Sequence, residues 1–266
     1  MSAKAIYTDA MLFGKFLQAV SIVNPNIIVT MDTRGMHLRA FDGESGVMAV
    51  LSIPASSMQS YETKGSNSFF LNSEIILPLF EEMDKKYSLS FAYSKKRRKA
   101  NAIMTLYNNG DGIIREFVLK PSSKRNLEST IISSYRISSK ISLKLSSESF
   151  KEAVEDVAEV AESIGIMIEG ETIYLVGRGP DGEELKSKLE KAPHILYMRY
   201  PKSFRGIVSW YPASGLLKAS QGGVNLSENV WLKLWKNSPI HISYCFSDVK
   251  LYYIVSPVSE APLNIL

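Results

Sequence analysis

The sequence predicts an α+β protein made of two topologically equivalent halves, and three observations carry that prediction. Apolar positions recur at a constant offset of 137 residues: Phe13, Leu17, Val20 and Val23 return as Phe150, Val154, Val157 and Val160, Val29 and Met31 as Ile166 and Ile168, and Met36 and Leu38 as Ile173 and Leu175. The first four pairs follow helical spacing and the last four follow strand alternation, so a helix and a hairpin are duplicated together. The order of segments repeats as well: one strand, a helix, several strands, a second helix and three strands. Two helices cannot cover both faces of such a sheet, so they are expected on one face only.

In chain order, residues 4–7 read as a strand, and Thr8 or Asp9 can cap a helix carrying Leu12, Phe13, Phe16, Leu17, Val20 and Val23, which Pro25 ends. Strands at 27–31, 36–41 and 47–53 follow, turned by Thr33-Arg34-Gly35 and Asp42-Gly43. After a strand at 69–71, Ser73 can cap a second helix reaching about Met83, with Pro78 inside it. Strands at 88–93, 103–107 and 113–119 close the first half. Residues 120–139, rich in serine and without period, read as a linker between domains 1–119 and 140–266. The second half repeats the order: a strand at 141–145, a helix capped at Ser146 or Ser147 and running to Ser163, strands at 166–169, 172–176, 184–189, 194–200 and 206–210, a short helix at 213–219, and strands at 230–235, 240–246 and 250–255.

The chain has 266 residues, 45% hydrophobic and 22% charged, the balance of a soluble globular protein with room for two cores. No apolar run approaches the roughly 20 residues of a membrane span, and the start, MSAKAIYTDAM, lacks the layout of a secretory signal, so no membrane partner is expected. Cys245 is the single cysteine; an intracellular setting and a buried structural thiol are expected of it. A net charge of +4 and a pI near 8.9 are compatible with nucleic acid without demanding it.

The segments Gly35-Met36-His37-Leu38-Arg39-Ala40-Phe41-Asp42, Leu51-Ser52-Ile53-Pro54 and Leu251-Tyr252-Tyr253-Ile254-Val255-Ser256-Pro257, with Pro239 between the last two strands, resemble the DNA sliding clamp family, that is, proliferating cell nuclear antigen of archaeal type. The resemblance runs over about residues 4–258 and rests on segment order together with the repeat. It implies two clamp domains with antiparallel sheets outside and helices lining a central hole. Three subunits would form a ring, cytoplasmic and nucleoid-associated in an archaeon, nuclear in a eukaryote. It implies no cofactor, and as partners duplex DNA held without regard to sequence, DNA polymerase, flap nuclease, ligase and a clamp loader.

The resemblance also assigns roles. Lys15 and Lys218 fall where clamps place DNA-facing cations, and Lys85 and Lys86 follow the second helix. Against them stand Glu81 and Glu82 and the acidic run Glu148, Glu152, Glu155, Asp156, Glu159 and Glu162, opposed only by Lys151. That weak grip favours a heterotrimer over a homotrimer. Ring closure by strand addition assigns the margins 112–120 and 182–189 to subunit contacts, with Ile113, Ile114, Arg115, Phe117, Glu184, Leu185, Lys186 and Lys188 at the interface. A solvated edge protected by charge is the plainer reading of the second margin. A pocket for partner peptides is expected from Phe41, Val47, Leu127, Ile131, Ile132, Pro239, Ile254, Val255 and Pro257. The linker departs from the family in being basic, through Lys120, Lys124, Arg125 and Arg136. The run Lys95-Lys96-Arg97-Arg98-Lys99 reads first as a solvated hairpin loop, and otherwise as a contact for DNA or an acidic partner, or as a localisation signal.

An enzyme is not expected. His37, His194 and His241 are far apart in strand patterns, and neither a phosphate-binding Gly-Lys-Ser/Thr loop nor a Gly-x-Ser-x-Gly elbow occurs. Trp210, Trp231 and Trp235 fall in or beside strands and read as packing groups rather than base-stacking ones. The expected function is thus a processivity factor in DNA replication and repair, with a damage-signalling ring or a non-encircling peptide-binding module as alternatives.

Overall fold

The computed structural model describes residues 2–81, 87–96, 99–108, 112–122, 140–180, 182–190, 193–202 and 204–258. The chain divides into two compact units, one of Met1–Ala40, Val50–Ser133 and Ser247–Lys250, the other of Phe41–Ala49, Ser134–Phe246 and Leu251–Leu266.

The first half of the chain runs β1 (Ser2–Tyr7), α1 (Ala10–Ser21), β2 (Asn26–Asp32), β3 (Gly35–Asp42), β4 (Val47–Pro54), β5 (Ser60–Thr63), β6 (Asn67–Asn72), α2 (Ser73–Glu81), β7 (Tyr87–Lys96), β8 (Lys99–Asn108) and β9 (Gly112–Pro121). The second half runs β10 (Ile141–Ser146), α3 (Ser147–Ala158), β11 (Ser163–Glu169), β12 (Thr172–Arg178), β13 (Glu184–Leu189), β14 (Ile195–Arg199), β15 (Gly206–Pro212), α4 (Ala213–Val224), β16 (Asn229–Leu234), β17 (Ile240–Phe246) and β18 (Val249–Val255). In the first half the strands lie side by side as β5-β1-β7-β8-β9 and β4-β3-β2-β6; in the second as β14-β10-β16-β17-β18 and β13-β12-β11-β15. Each neighbour relation in the second half is one from the first with nine added to the strand number, so the duplication is one of topology as well as of pattern.

Register shows the same thing at single residues. Val29 pairs with Leu38 and Met31 with Met36 across β2 and β3, and their counterparts Ile166 with Leu175 and Ile168 with Ile173 across β11 and β12. All eight side chains are buried, as are Phe13, Leu17 and Val20 on the first helix, Val23 just beyond its end, and Phe150, Val154 and Val157 on the third. The exception is Val160, 40% exposed; α3 ends at Ala158 rather than at the expected Ser163.

The helix starts follow side-chain chemistry. Leu12 donates its N–H to Asp9 Oδ1 at 2.8 Å and Ser149 to Ser146 Oγ at 3.4 Å. At α2 the acceptor is Asn72 Oδ1, 2.9 Å from the Glu74 nitrogen, rather than the expected Ser73, whose buried hydroxyl and N–H both donate to the Pro25 carbonyl. The fourth helix runs five residues beyond the expected 219, through Gly222 and Gly223, which would ordinarily stop a helix. A Cβ on Gly223 would lie 2.2 Å from the Tyr244 ring, so close packing explains a glycine at that position. The short strand β5 was not expected. Cys245 corrects another expectation: it is exposed, because it follows the buried Tyr244 in the outward phase of β17. Within each unit the helices pack as a pair, α1 on α2 and α3 on α4. No helix among the described residues is long and apolar enough to cross a membrane.

Candidate functional site

Charge on the helices is uneven. In the first unit Lys15 is the only ionisable side chain of α1 and is exposed beside Gln18, while α2 carries Glu74 and Glu81. Gly14 lets the helices approach, since a Cβ there would lie 2.7 Å from Phe80 Cβ. A cleft of about 280 Å³ between them is lined by Lys15, Gln18 and Glu81 among others. Lys85 and Lys86 lie outside the described residues.

In the second unit α3 carries Glu148, Glu152, Glu155 and Asp156 against Lys151, which sits 3.1 Å from Glu148 and 3.7 Å from Glu155. Gln221 of α4 donates to Glu155 Oε1 at 3.0 Å. The single cation of α4, Lys218, is 2.6 Å from Asp42 Oδ2 and is thereby neutralised locally. Asp42 also accepts from the Ser45 hydroxyl and, at 3.0 Å, from the Glu44 N–H. Hydrogen bonds from Lys218 and then Ser45 hold the Asp42 pKa down to about 2. The sequence pattern did not single out Asp42 as the partner of Lys218, 176 positions away.

The hairpin tip Phe41–Ala49 belongs to this second unit and is tied there by backbone. Ser256 donates its N–H to the Gly46 carbonyl at 2.9 Å, and Gly46 has φ +60°, a region that favours glycine. A Cβ on Gly215 of α4 would lie 2.9 Å from both the Ser45 carbonyl oxygen and Val255 Cγ1. Of the residues expected in a peptide pocket, Phe41 is exposed, Pro239, Ile254 and Pro257 are half-buried, and Val47 and Val255 are fully buried, forming floor rather than rim. Leu127, Ile131 and Ile132 lie outside the described residues.

The two expected margins are strand margins. Among the described residues strand β13 pairs only with β12, and Leu185 and its flanking charges project from it. Lys186 lies 2.6 Å from Glu184, and Lys188 pairs with Glu190. Strand β9 pairs with β8 from Gly112 to Leu119, while on its other side only Lys120 and Pro121 meet β6. Among the described residues, the backbone of the stretch 112–119, including Ile113 and Ile114, therefore has no strand partner on that side. Arg115 is exposed, Phe117 half-buried, and Val118, which the sequence reasoning passed over, is 80% exposed. Alternation alone marks it: Val118 is out of phase with the buried Leu119.

Among the described residues no group of three or more potential metal-ligating side chains forms. His37 donates or accepts toward Ser52 Oγ at 3.0 Å, and burial lowers its pKa despite Asp32 nearby.

No family model and no curated protein matches the sequence. Solved structures do. The chain is similar to the crystal structure of proliferating cell nuclear antigen from Thermococcus kodakaraensis, with a TM-score of 0.77 at 16% identity over 96% of this chain and 100% of that one. For the same antigen from Entamoeba histolytica the TM-score is 0.78 at 16% identity, over 96% and 98%. For the PCNA2–PCNA3 complex from Sulfolobus tokodaii it is 0.76 at 16% identity, over 97% and 100%. The likeness spans both halves and reproduces the expected α+β class, so the chain has the two-domain fold of the DNA sliding clamps.

Proposed function

We propose that this chain is a subunit of a DNA sliding clamp, a non-enzymatic ring that encircles duplex DNA and holds polymerase, flap nuclease and ligase near the template after a clamp loader has closed it. One observation carries the reading: a duplicated clamp topology in which, among the described residues, the stretch 112–119 of β9 in the first unit and β13 in the second each have a strand partner on one side alone. Strand addition between β9 of one copy and β13 of the next satisfies those backbone groups and generates a ring if the rotation closes. Val118 and Leu185 would add apolar contact, and the alternating Glu and Lys of β13 would select the partner.

Sequence-independent sliding needs diffuse positive charge toward the phosphates. Lys15 supplies one cation, Lys218 is tied to Asp42, and α3 is acidic. This balance favours a mixed ring in which other subunits supply more of the charge; the Sulfolobus tokodaii structure is itself a complex of two clamp chains. Phe41, Pro239, Ile254 and Pro257 would receive the apolar anchors of partner peptides.

The test is topological. The purified protein, alone and with any sister subunits, is loaded on closed circular duplex DNA and then washed in salt. Retention that disappears when the circle is cut supports the clamp. Equal retention on linear and circular DNA overturns it in favour of simple binding, and no retention with any combination leaves a peptide-binding module or a damage-signalling ring.

A further inference from the structure

Four adjacent strands of the second unit, β14, β10, β16 and β17, contain no Asp or Glu. Their inward positions are apolar and buried apart from the half-buried Met198 and the Tyr244 hydroxyl, and the charged residues Lys144, Arg199 and Lys233 share the other face. Cross-strand register sets these in rows. Tyr197, Lys144 and Trp231 form one, and Arg199, Ser142 and Lys233 the next. Along β14 and along β16 an aromatic and a cation therefore alternate, about 7 Å apart at the two-residue repeat of a strand.

The edge of this face is shaped by a bulge. Lys144 pairs with Tyr197 but Leu145 with Ile195, which leaves Leu196 as the extra residue. As a result two consecutive side chains, Leu196 at 50% and Tyr197 at 44%, are exposed on a strand that has no second strand partner among the described residues. The Tyr197 ring lies 5.6 Å from that of Trp231, tilted by 51°. Beyond Arg199 a cleft of about 460 Å³ is lined by Lys140, Ser142, Arg199, Tyr200 and Pro201. Lys140 caps the Trp235 ring at 4.6 Å.

The charges here are arranged unlike those of β13, where each lysine has a carboxylate beside it. Among the described residues, Lys144, Arg199 and Lys233 have no ion-pair partner. Cations of one sign, left without counter-charge and interleaved with an exposed tyrosine and a half-buried tryptophan, complement a chain that alternates phosphate and flat base. A duplex would leave the rings idle, because its bases already stack on one another. An acidic peptide would match the cations but offer no regular planar partner.

We propose that this sheet face binds single-stranded nucleic acid, with Tyr197 and Trp231 stacking on bases and Lys144, Arg199 and Lys233 taking phosphates. The inference goes beyond the sliding-clamp reading and does not depend on ring closure.

The experiment measures anisotropy of a fluorescent single-stranded DNA of about 20 nucleotides, long enough for such a face, titrated with the full chain at low salt. The expected result is salt-sensitive binding with quenching of tryptophan fluorescence. Tyr197→Ala and Trp231→Ala should each weaken it about tenfold, the scale of one lost base stack. Lys144→Gln, Arg199→Gln and Lys233→Gln should each lower the log–log salt slope by about 0.7. Melting curves confirm that the variants fold, and Tyr197 and Arg199, being exposed, serve if Trp231→Ala does not. Absence of binding overturns the proposal. So does binding that these variants leave intact but Lys15→Ala abolishes, and so does capture of an acidic peptide by the same residues with no binding of the oligonucleotide. Because a short linear strand has free ends, none of these outcomes bears on retention by closed circles.

Discussion

Gly223 illustrates how one residue is fixed from both sides. The helix would prefer alanine there by about 1 kcal/mol, but the Tyr244 ring occupies the space a Cβ needs. The ring cannot retreat, since it is 1% exposed and its hydroxyl donates to the Ala219 and Ser220 carbonyls at 3.1 and 3.3 Å. Gly223→Ala is therefore expected to destabilise by roughly 1–3 kcal/mol, the cost of overpacking, read as a lower denaturation midpoint at unchanged slope. A gain in stability would mean that β17 shifts freely. His241 supplies a second expectation. Burial and then Lys233 lower its pKa from 6.5 to about 4, and its Nε2 is buried without a hydrogen-bond partner. Between those values the unfolded chain holds a proton that the folded chain does not. Stability thus falls as pH drops from about 6.5 to about 4. His241→Gln should lose less of its melting temperature than the wild type between pH 7 and pH 4.5, with His37 left to contribute in the same sense. At this scale the duplicated apolar positions were legible because burial has a period. Exposure of Cys245 and pairing of Lys218 with Asp42 were not, since one depends on phase at a strand end and the other on a contact 176 positions distant.

Elements were legible where side-chain periodicity and capping agree. Helix α1 has both, with Asp9 bonded to Leu12 and a buried stripe from Phe13 to Val20. Helix α4 was read short because its glycines answer to Tyr244, a tertiary cause with no local signature. Strand β5 was missed because Ser-Tyr-Glu-Thr has no buried phase to detect. The margins at β9 and β13 were legible as strands, but Val118 shows what alternation hides at an edge: an apolar residue on the exposed phase of a strand with one free side. In the proposed ring that residue and Leu185 meet another copy. Val118→Asp combined with Leu185→Asp should leave the melting of the isolated chain within about 0.5 kcal/mol of wild type, as both are exposed. It should reduce the mass in solution toward the 29.7 kDa of one chain. An assembly that survives both substitutions would have another interface.

For the whole molecule the decisive quantity is the sign of the charge that each helix pair would offer a duplex. The chain is basic by +4, yet its helices carry few of those cations, and α3 holds four carboxylates against one lysine. The excess positive charge lies elsewhere, in part on the carboxylate-free strands of the second unit, so net charge alone does not give the sign of charge on the helices. If the helices of a closed ring face the duplex, the α3 carboxylates oppose binding, and removing them should strengthen it. Glu152 is the clean site: it is exposed, and Lys151 is engaged instead with Glu148 and Glu155. Glu152→Lys in the assembled ring should raise the salt concentration at which closed circles are released. It should steepen the log–log salt dependence by up to about 0.9 for each phosphate the new lysine reaches in each mutated subunit. Its effect on a short single strand should be small, because α3 is not part of the aromatic face. A Glu152→Lys ring released at the same salt as wild type would place α3 away from the duplex. The acidity of α3 would then no longer favour a mixed ring, while the clamp fold stood.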